Sequence, residues 1–420
     1  MSSISNSLYR QARSQLMQPA TLFMISSMLV NGGNYLYNLV IGRTLGPAAF
    51  AEAGILMSLI LIVSFMGMTF QMVATKFSVE LGDSHQAAFR QLLRKTSWIA
   101  GIGLAVLLLL TAKKVALFLN LQSAIPLYIF ALCLPAYFGM SYQRGLLQGK
   151  QLFTQLAGSY QVELWSKVAL TAILLICFPH LSGVVISVAM TLSVITGMLH
   201  TNTTSVAPLV SGRLSTSQLK QISRYAGFIV LYEGIQILIN YGDLFMVNHY
   251  FDQQTAGMYT SLSVIGRMVY FLTWMLVMVL IPSVLQNRQS GKPYHHLMHR
   301  YLGMISGAVA ALVTLCHLLP ELLINSLFGA SYLPLATHLW LYALATGLFA
   351  IANLFLYYFI AIEKFSPVYV AGAIAVLQLI AYQLHHHTIA NMIEVQVAGM
   401  LCLLVILAIW YVCTTDRNRS

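Results

Sequence analysis

Apolar stretches of membrane-spanning length recur along the whole chain, separated by short polar gaps. They predict twelve helices over residues 20–41, 47–74, 97–112, 122–141, 153–177, 181–200, 225–247, 255–283, 301–319, 334–360, 366–383 and 396–413. Each is near the roughly 20 residues that cross a hydrocarbon layer. The fold class is therefore an all-α integral membrane protein. The first run is too long for a signal-peptide core and no small-residue cleavage site follows it, so it reads as a retained helix.

The polar gaps carry a second signal. With the N-terminus placed in the cytoplasm, 17 of the 22 Lys and Arg residues fall in gaps on that side. Only Arg43, Lys113 and Lys114 fall on the other, and Lys167 and Arg267 lie inside spans. This is the positive-inside bias and puts both termini in the cytoplasm. The 24-residue polar gap 201–224 divides the chain, giving a segment 1–19, a six-helix bundle 20–200, the linker, a second bundle 225–413 and a tail 414–420. Asn34-Tyr35 recurs as Asn240-Tyr241, a shift of 206 positions. Six spans per half make the halves parallel repeats, the arrangement in which transporters carry substrate in a central cavity.

Composition agrees with a membrane protein and adds exclusions. Charged residues are 8% of the chain and apolar ones 58%, so no water-soluble surface can be built from it. The net charge of +11 is accounted for by loops facing anionic headgroups rather than by nucleic acid. No Walker A, HExxH or Gly-rich dinucleotide sequence occurs, the outward gaps are short, and no cofactor, metal site or enzyme activity is expected. The five cysteines show no paired spacing and read as packing residues. His295, His296 and His299, and His385, His386 and His387, lack the carboxylate or thiolate company of a metal site. Residues 84–95 read as a short amphipathic connector on the inner surface.

Several segments resemble the polysaccharide and oligosaccharide-lipid flippases of the multidrug/oligosaccharidyl-lipid/polysaccharide exporter superfamily. They are the run from Ile41 to Phe50 (IGRTLGPAAF), Leu147-Gln148-Gly149-Lys150, Asp243 with Ala256-Gly257-Met258-Tyr259, and Leu327-Phe328-Gly329 with Tyr332. The chain departs from the family pattern at Ala51 and Ala53, where Gly and Tyr are frequent. The resemblance implies two six-helix bundles around a central cavity and alternating access. It also implies export of a polyprenyl-pyrophosphate-linked saccharide across a bacterial cytoplasmic (inner) membrane, with membrane lipids and glycan-assembly enzymes as partners. Its rivals are a cation-coupled multidrug exporter of the same superfamily, a membrane glycosyltransferase or polymerase, and a non-transporting scaffold.

Charges inside spans are costly, at about 2.5–3.5 kcal/mol each near mid-bilayer, so the few present are candidates. Those placed in a band near mid-membrane are Glu163, Lys167, Glu233 and Arg267. Lys167 and Arg267 are expected to hold an anionic pyrophosphate, while Glu163, Glu233 and Asp243 balance charge or bind the coupling proton or sodium ion. Glu163 and Lys167, four apart, share a helix face and are placed to pair; Glu233 and Arg267 are the corresponding candidate pair in the seventh and eighth spans. Asn31-Gly32-Gly33-Asn34 and Asn240-Tyr241-Gly242 put Gly and amide groups inside helices, and both are read as bends at a gate, with small-residue packing the alternative. Tyr35, Tyr37 and Tyr241 are candidate sugar contacts, with interfacial anchoring the alternative.

Overall fold

The computed structural model describes residues 19–81, 83–202, 214–268, 295–362 and 364–417. The described chain is almost wholly helical. In order the helices are α1 (Pro19–Glu80), α2 (Asp83–Phe118), α3 (Ile125–Ala131), α4 (Cys133–Gly149), α5 (Phe153–Cys177), α6 (Ser182–Asn202), α7 (Thr216–Tyr250), α8 (Gln253–Gly266), α9 (His295–Leu318), α10 (Pro320–Leu327), α11 (Leu339–Ala361), α12 (Ser366–Leu384) and α13 (Ile389–Arg417). Ten helical segments of the described chain are long and apolar enough to cross a membrane. The belts of exposed aliphatic side chains, such as Leu110, Leu117 and Ile176, are what a surface facing lipid requires.

The first two predicted spans form one 62-residue helix interrupted at Gly46, whose φ of 75° and ψ of 171° leave helical geometry. That backbone region is open to glycine almost alone, and Pro47 starts the second arm with a preset φ. The third predicted span and the connector before it are continuous: residues 84–95 are the first turns of α2, not a separate surface helix. Phe89 and Leu93 are buried with Val73, Phe77, Tyr142 and Leu146, and that packing holds the segment in line. The Gln86 amide donates to the carbonyls of Ser78 and Leu81, satisfying the open end of α1.

The fourth span breaks at Leu132. Pro135 lacks the N–H that would bond back to Ala131 and crowds that carbonyl, and Thr191 of α6 donates to the nearby Ile129 carbonyl at 3.1 Å. The seventh span starts nine residues earlier than predicted because Ser215 and Gln218 form a reciprocal capping box, Gln218 N to Ser215 Oγ at 3.2 Å and Ser215 N to Gln218 Oε1 at 2.8 Å. Of the predicted eighth span, residues 269–283 lie outside the described residues, as do 1–18 and 203–213 of the predicted terminal and linker segments.

Two compact units emerge. One holds the described residues up to Asn38 with Ile55–Gly234; the other holds Leu39–Gly54 with Ile235–Ser420. The packing boundary therefore lies inside α7, and a short stretch of α1 belongs to the second unit. That stretch contains the IGRTLGPAAF run, and inside the second unit it meets two other segments of the resemblance, those at Gly257 and at Phe328 with Tyr332; Leu147–Lys150 belongs to the first unit. Phe50 packs on Phe328 and Tyr332 with ring centroids 5.7 and 6.2 Å away. The Tyr332 hydroxyl donates to the Gly42 carbonyl, and Arg43 to the Ser326 carbonyl. Gly257 lies against the Pro47 backbone with no room for a Cβ.

The Gly257→Leu variant should therefore fall to a small fraction of wild-type abundance in membranes, measured by immunoblot. Gly103→Ala, where an added Cβ meets nothing within 4 Å, should stay at the wild-type level.

Candidate functional site

Among the described residues, the first unit holds polar clusters around two cations, Lys167 and Arg144, and the second holds one around Arg267. In the first unit, Lys167 projects from α5 to α1, where its ammonium donates to Asn34 Oδ1 and lies 4.7 Å from the centre of the Tyr37 ring. Tyr37 is buried and its hydroxyl shares a 2.9 Å hydrogen bond with Thr171. Lys167 and Thr171 are one helical turn apart, so a single face of α5 supplies both contacts to a single face of α1.

Glu163 lies on the same side of α5, one turn earlier, but its partner is Arg144 of α4. The Arg144 guanidinium bonds the carboxylate at 2.7 Å, the Ser159 hydroxyl at 2.8 Å and the Ser159 carbonyl at 3.0 Å. It also stacks 3.9 Å from the centre of the Tyr160 ring. The expected Glu163–Lys167 pair is thus replaced. Residues four apart on a helix offer a solvated-pair geometry, whereas a neighbouring helix presents a planar donor fork that fits the carboxylate and the Ser159 backbone at once. Arg144 was also expected in a polar gap; it is 2% exposed because α4 continues through residues 141–149. The small and apolar flank Gly145-Leu146-Leu147 was the available signal.

In the second unit, Arg267 at the end of α8 bonds the Asn240 carbonyl, approaches Asp243 Oδ1 at 3.5 Å and lies 4.6 Å from the centre of the Tyr241 ring. Asp243 is fully buried and accepts the hydroxyls of Tyr259 at 2.9 Å and Tyr342 at 2.8 Å. Arg267 and Asn240 line a small pocket with Thr346, Phe349, Gln396 and Met400. The expected partner of Arg267 was Glu233; the carboxylate it meets is Asp243. Glu233 belongs to the first unit, is buried, and joins no ion pair among the described residues.

Positions 34 and 37 of α1 correspond to 240 and 243 of α7 under the internal shift of 206. Both pairs meet a cation, but the cation comes from α5 in one unit and α8 in the other. The platform is repeated and the charge is not. Charge balance differs as well: the bonded neighbours of Lys167 are neutral, while Arg267 faces a carboxylate.

Neither predicted bend leaves helical geometry. The Asn34 and Asn240 side chains donate to the carbonyls four residues back, Val30 at 3.0 Å and Gln236 at 2.8 Å, keeping each helix whole. Gly33 and Gly242 instead admit Leu164 and Leu379, where a Cβ would sit 2.6 and 2.9 Å from a methyl carbon. Asn31 and Gly32 are exposed and Tyr35 is half-buried. His386 stacks on Tyr250 with ring centroids 3.9 Å apart, and no group of three metal-ligating side chains occurs among the described residues. The side chains of His295 and His296 lie outside the described set.

A protein family described as "Polysaccharide biosynthesis protein" matches residues 16–288. No curated protein matches the sequence. Among solved structures, an inward-facing multidrug resistance MATE family transporter of the MOP superfamily is 13% identical over 92% of this chain and 95% of its own, with a TM-score of 0.78. The lipid II flippase MurJ in an inward closed conformation is 12% identical over 93% of this chain and 87% of its own, with a TM-score of 0.74. A eukaryotic MATE transporter, AtDTX14, is 12% identical over 92% and 94%, with a TM-score of 0.63. At such identities the likeness is one of fold.

Proposed function

Since the chain belongs to the polysaccharide biosynthesis protein family, we propose that it moves a polyprenyl-pyrophosphate-linked saccharide from the inner to the outer leaflet of a bacterial cytoplasmic membrane. Movement is by alternating access, coupled to a proton or sodium gradient. The observation that carries this reading is the pair of cation stations built on Asn34/Tyr37 and Asn240/Asp243. A pyrophosphate needs fixed positive charge in a low-dielectric surrounding, and a sugar is served by nearby tyrosines and amides.

Lys167 is the stronger anchor of the two, because its contacts, Asn34 and Tyr37, are neutral and exchangeable for phosphate oxygens. Arg267 is held by Asp243 and assists from a fixed position. Export of organic cations is the second reading, favoured by the fold shared with MATE transporters. It asks for an unneutralised carboxylate, and Glu233 is the candidate.

The test is the leaflet distribution of lipid-linked saccharide, read with a membrane-impermeant probe in cells that lack the protein or carry a variant. Loss of the protein should leave the pool on the inner leaflet, and wild type should restore export. Lys167→Gln should restore no more than about a tenth of it at wild-type abundance. An unchanged pool in the deletion strain would favour the organic-cation reading.

A further inference from the structure

At one edge of the first unit, away from the Lys167 station, three basic side chains gather where α2 packs on α4. Arg90 and Arg94 stand one turn apart on α2, and Lys150 follows the last residue of α4. Phe89 and Leu93, their neighbours on α2, are sealed against Tyr142 and Leu146 of α4, so the two helices are fixed against each other here. Arg90 and Arg94 both act electrostatically on Tyr142, and Arg90 acts on Lys150. Lys150, in the turn between spans, is held below the usual lysine range by partial burial and then by the Arg90 charge.

Two features of this notch lack a structural purpose. Arg90 Nε and Nη1 are shielded from water and have no hydrogen-bond partner among the described residues. None of the three cations joins an ion pair among the described residues, whereas Lys76 on the adjacent α1 is matched by Glu80 at 3.7 Å. Gathered like charges repel, and shielded N–H groups without an acceptor are costly. One ligand chemistry answers both. A phosphate brings negative charge and several acceptor oxygens, a guanidinium fork fits it, and lysine adds a point charge.

We propose that the notch formed by Arg90, Arg94 and Lys150 binds the phosphate of an anionic lipid at the membrane surface. The positive-inside bias assigns this side to the cytoplasm, where anionic headgroups and basic pockets between helices meet. A phosphodiester headgroup and a lipid-borne pyrophosphate share the required chemistry. Binding here does not depend on the transport reading.

The experiment uses the purified full-length protein in detergent micelles, with retained lipid measured by native mass spectrometry. Wild type should retain phosphatidylglycerol in preference to phosphatidylcholine. Arg90→Gln/Lys150→Gln should weaken that retention at least tenfold, while Lys113→Gln/Lys114→Gln leaves it unchanged. Displacement of phosphatidylglycerol by added inorganic pyrophosphate would extend the site to the pyrophosphate source, and retention despite it would commit the site to bulk lipid. Equal retention by wild type and Arg90→Gln/Lys150→Gln overturns the proposal. Should that variant fail to fold, Lys150→Gln alone serves, since Lys150 is exposed; a loss of about threefold is then expected, and no loss overturns the proposal equally.

Discussion

Arg144→Met should sharply deplete the folded protein. The guanidinium is almost wholly enclosed and serves Glu163, both oxygens of Ser159 and the Tyr160 ring. Removing one member of a buried ion pair costs about 3–5 kcal/mol, because the other charge stays in a medium that solvates it poorly. Glu163 is 20% exposed, which puts the expectation near the lower end of that range. The measurement is the thermal midpoint of purified protein, together with the monodisperse fraction on size exclusion. Arg144→Met/Glu163→Gln should recover part of the loss, since the orphaned charge is gone. A single variant with the wild-type midpoint would mean that the pair contributes nothing to the fold.

Arg267→Ala should lower transport severalfold and destabilise the second unit as well, and a second substitution separates the two effects. Asp243 has no exposure and keeps its two tyrosine hydroxyls when Arg267 is lost, but no charge then opposes the carboxylate. A loss of about 3–5 kcal/mol is expected on the same ground. Asp243→Asn/Arg267→Ala removes the stranded charge, and should regain most of the stability without regaining export. Return of export in the double variant would make Arg267 a structural residue alone. Abundance and leaflet distribution, measured in the same cells, give the two readouts.

The sequence alone determined that the chain is a helical membrane protein and what family of folds it builds. Apolar length is additive along one helix, so the span predicted over 153–177 is the helix Phe153–Cys177, and the pattern of basic gaps needed no tertiary information. The early start of α7 and the break in the fourth span are also local matters. The Ser215–Gln218 capping box and the Pro135 break are written in neighbouring residues, though hydropathy does not register them. Three segments of the family resemblance, far apart in the chain, converge on Phe50, Gly257, Phe328 and Tyr332 for packing reasons.

What only the tertiary structure decided is which charge meets which. Sequence spacing offers Lys167 to Glu163, which instead meets Arg144, and Glu233 to Arg267, which instead meets Asp243 with hydroxyls arriving from Tyr259 and Tyr342. A helix fixes the spacing of its own residues but not its rotation about its axis toward a neighbour. That rotation is set by close contacts such as Leu164 against Gly33 and the α1 backbone at Gln71 against Gly145, and these depend on side-chain shapes on two helices at once. Polar partners across such a contact are selected after the apolar packing is fixed, and a single strand of sequence carries no record of it.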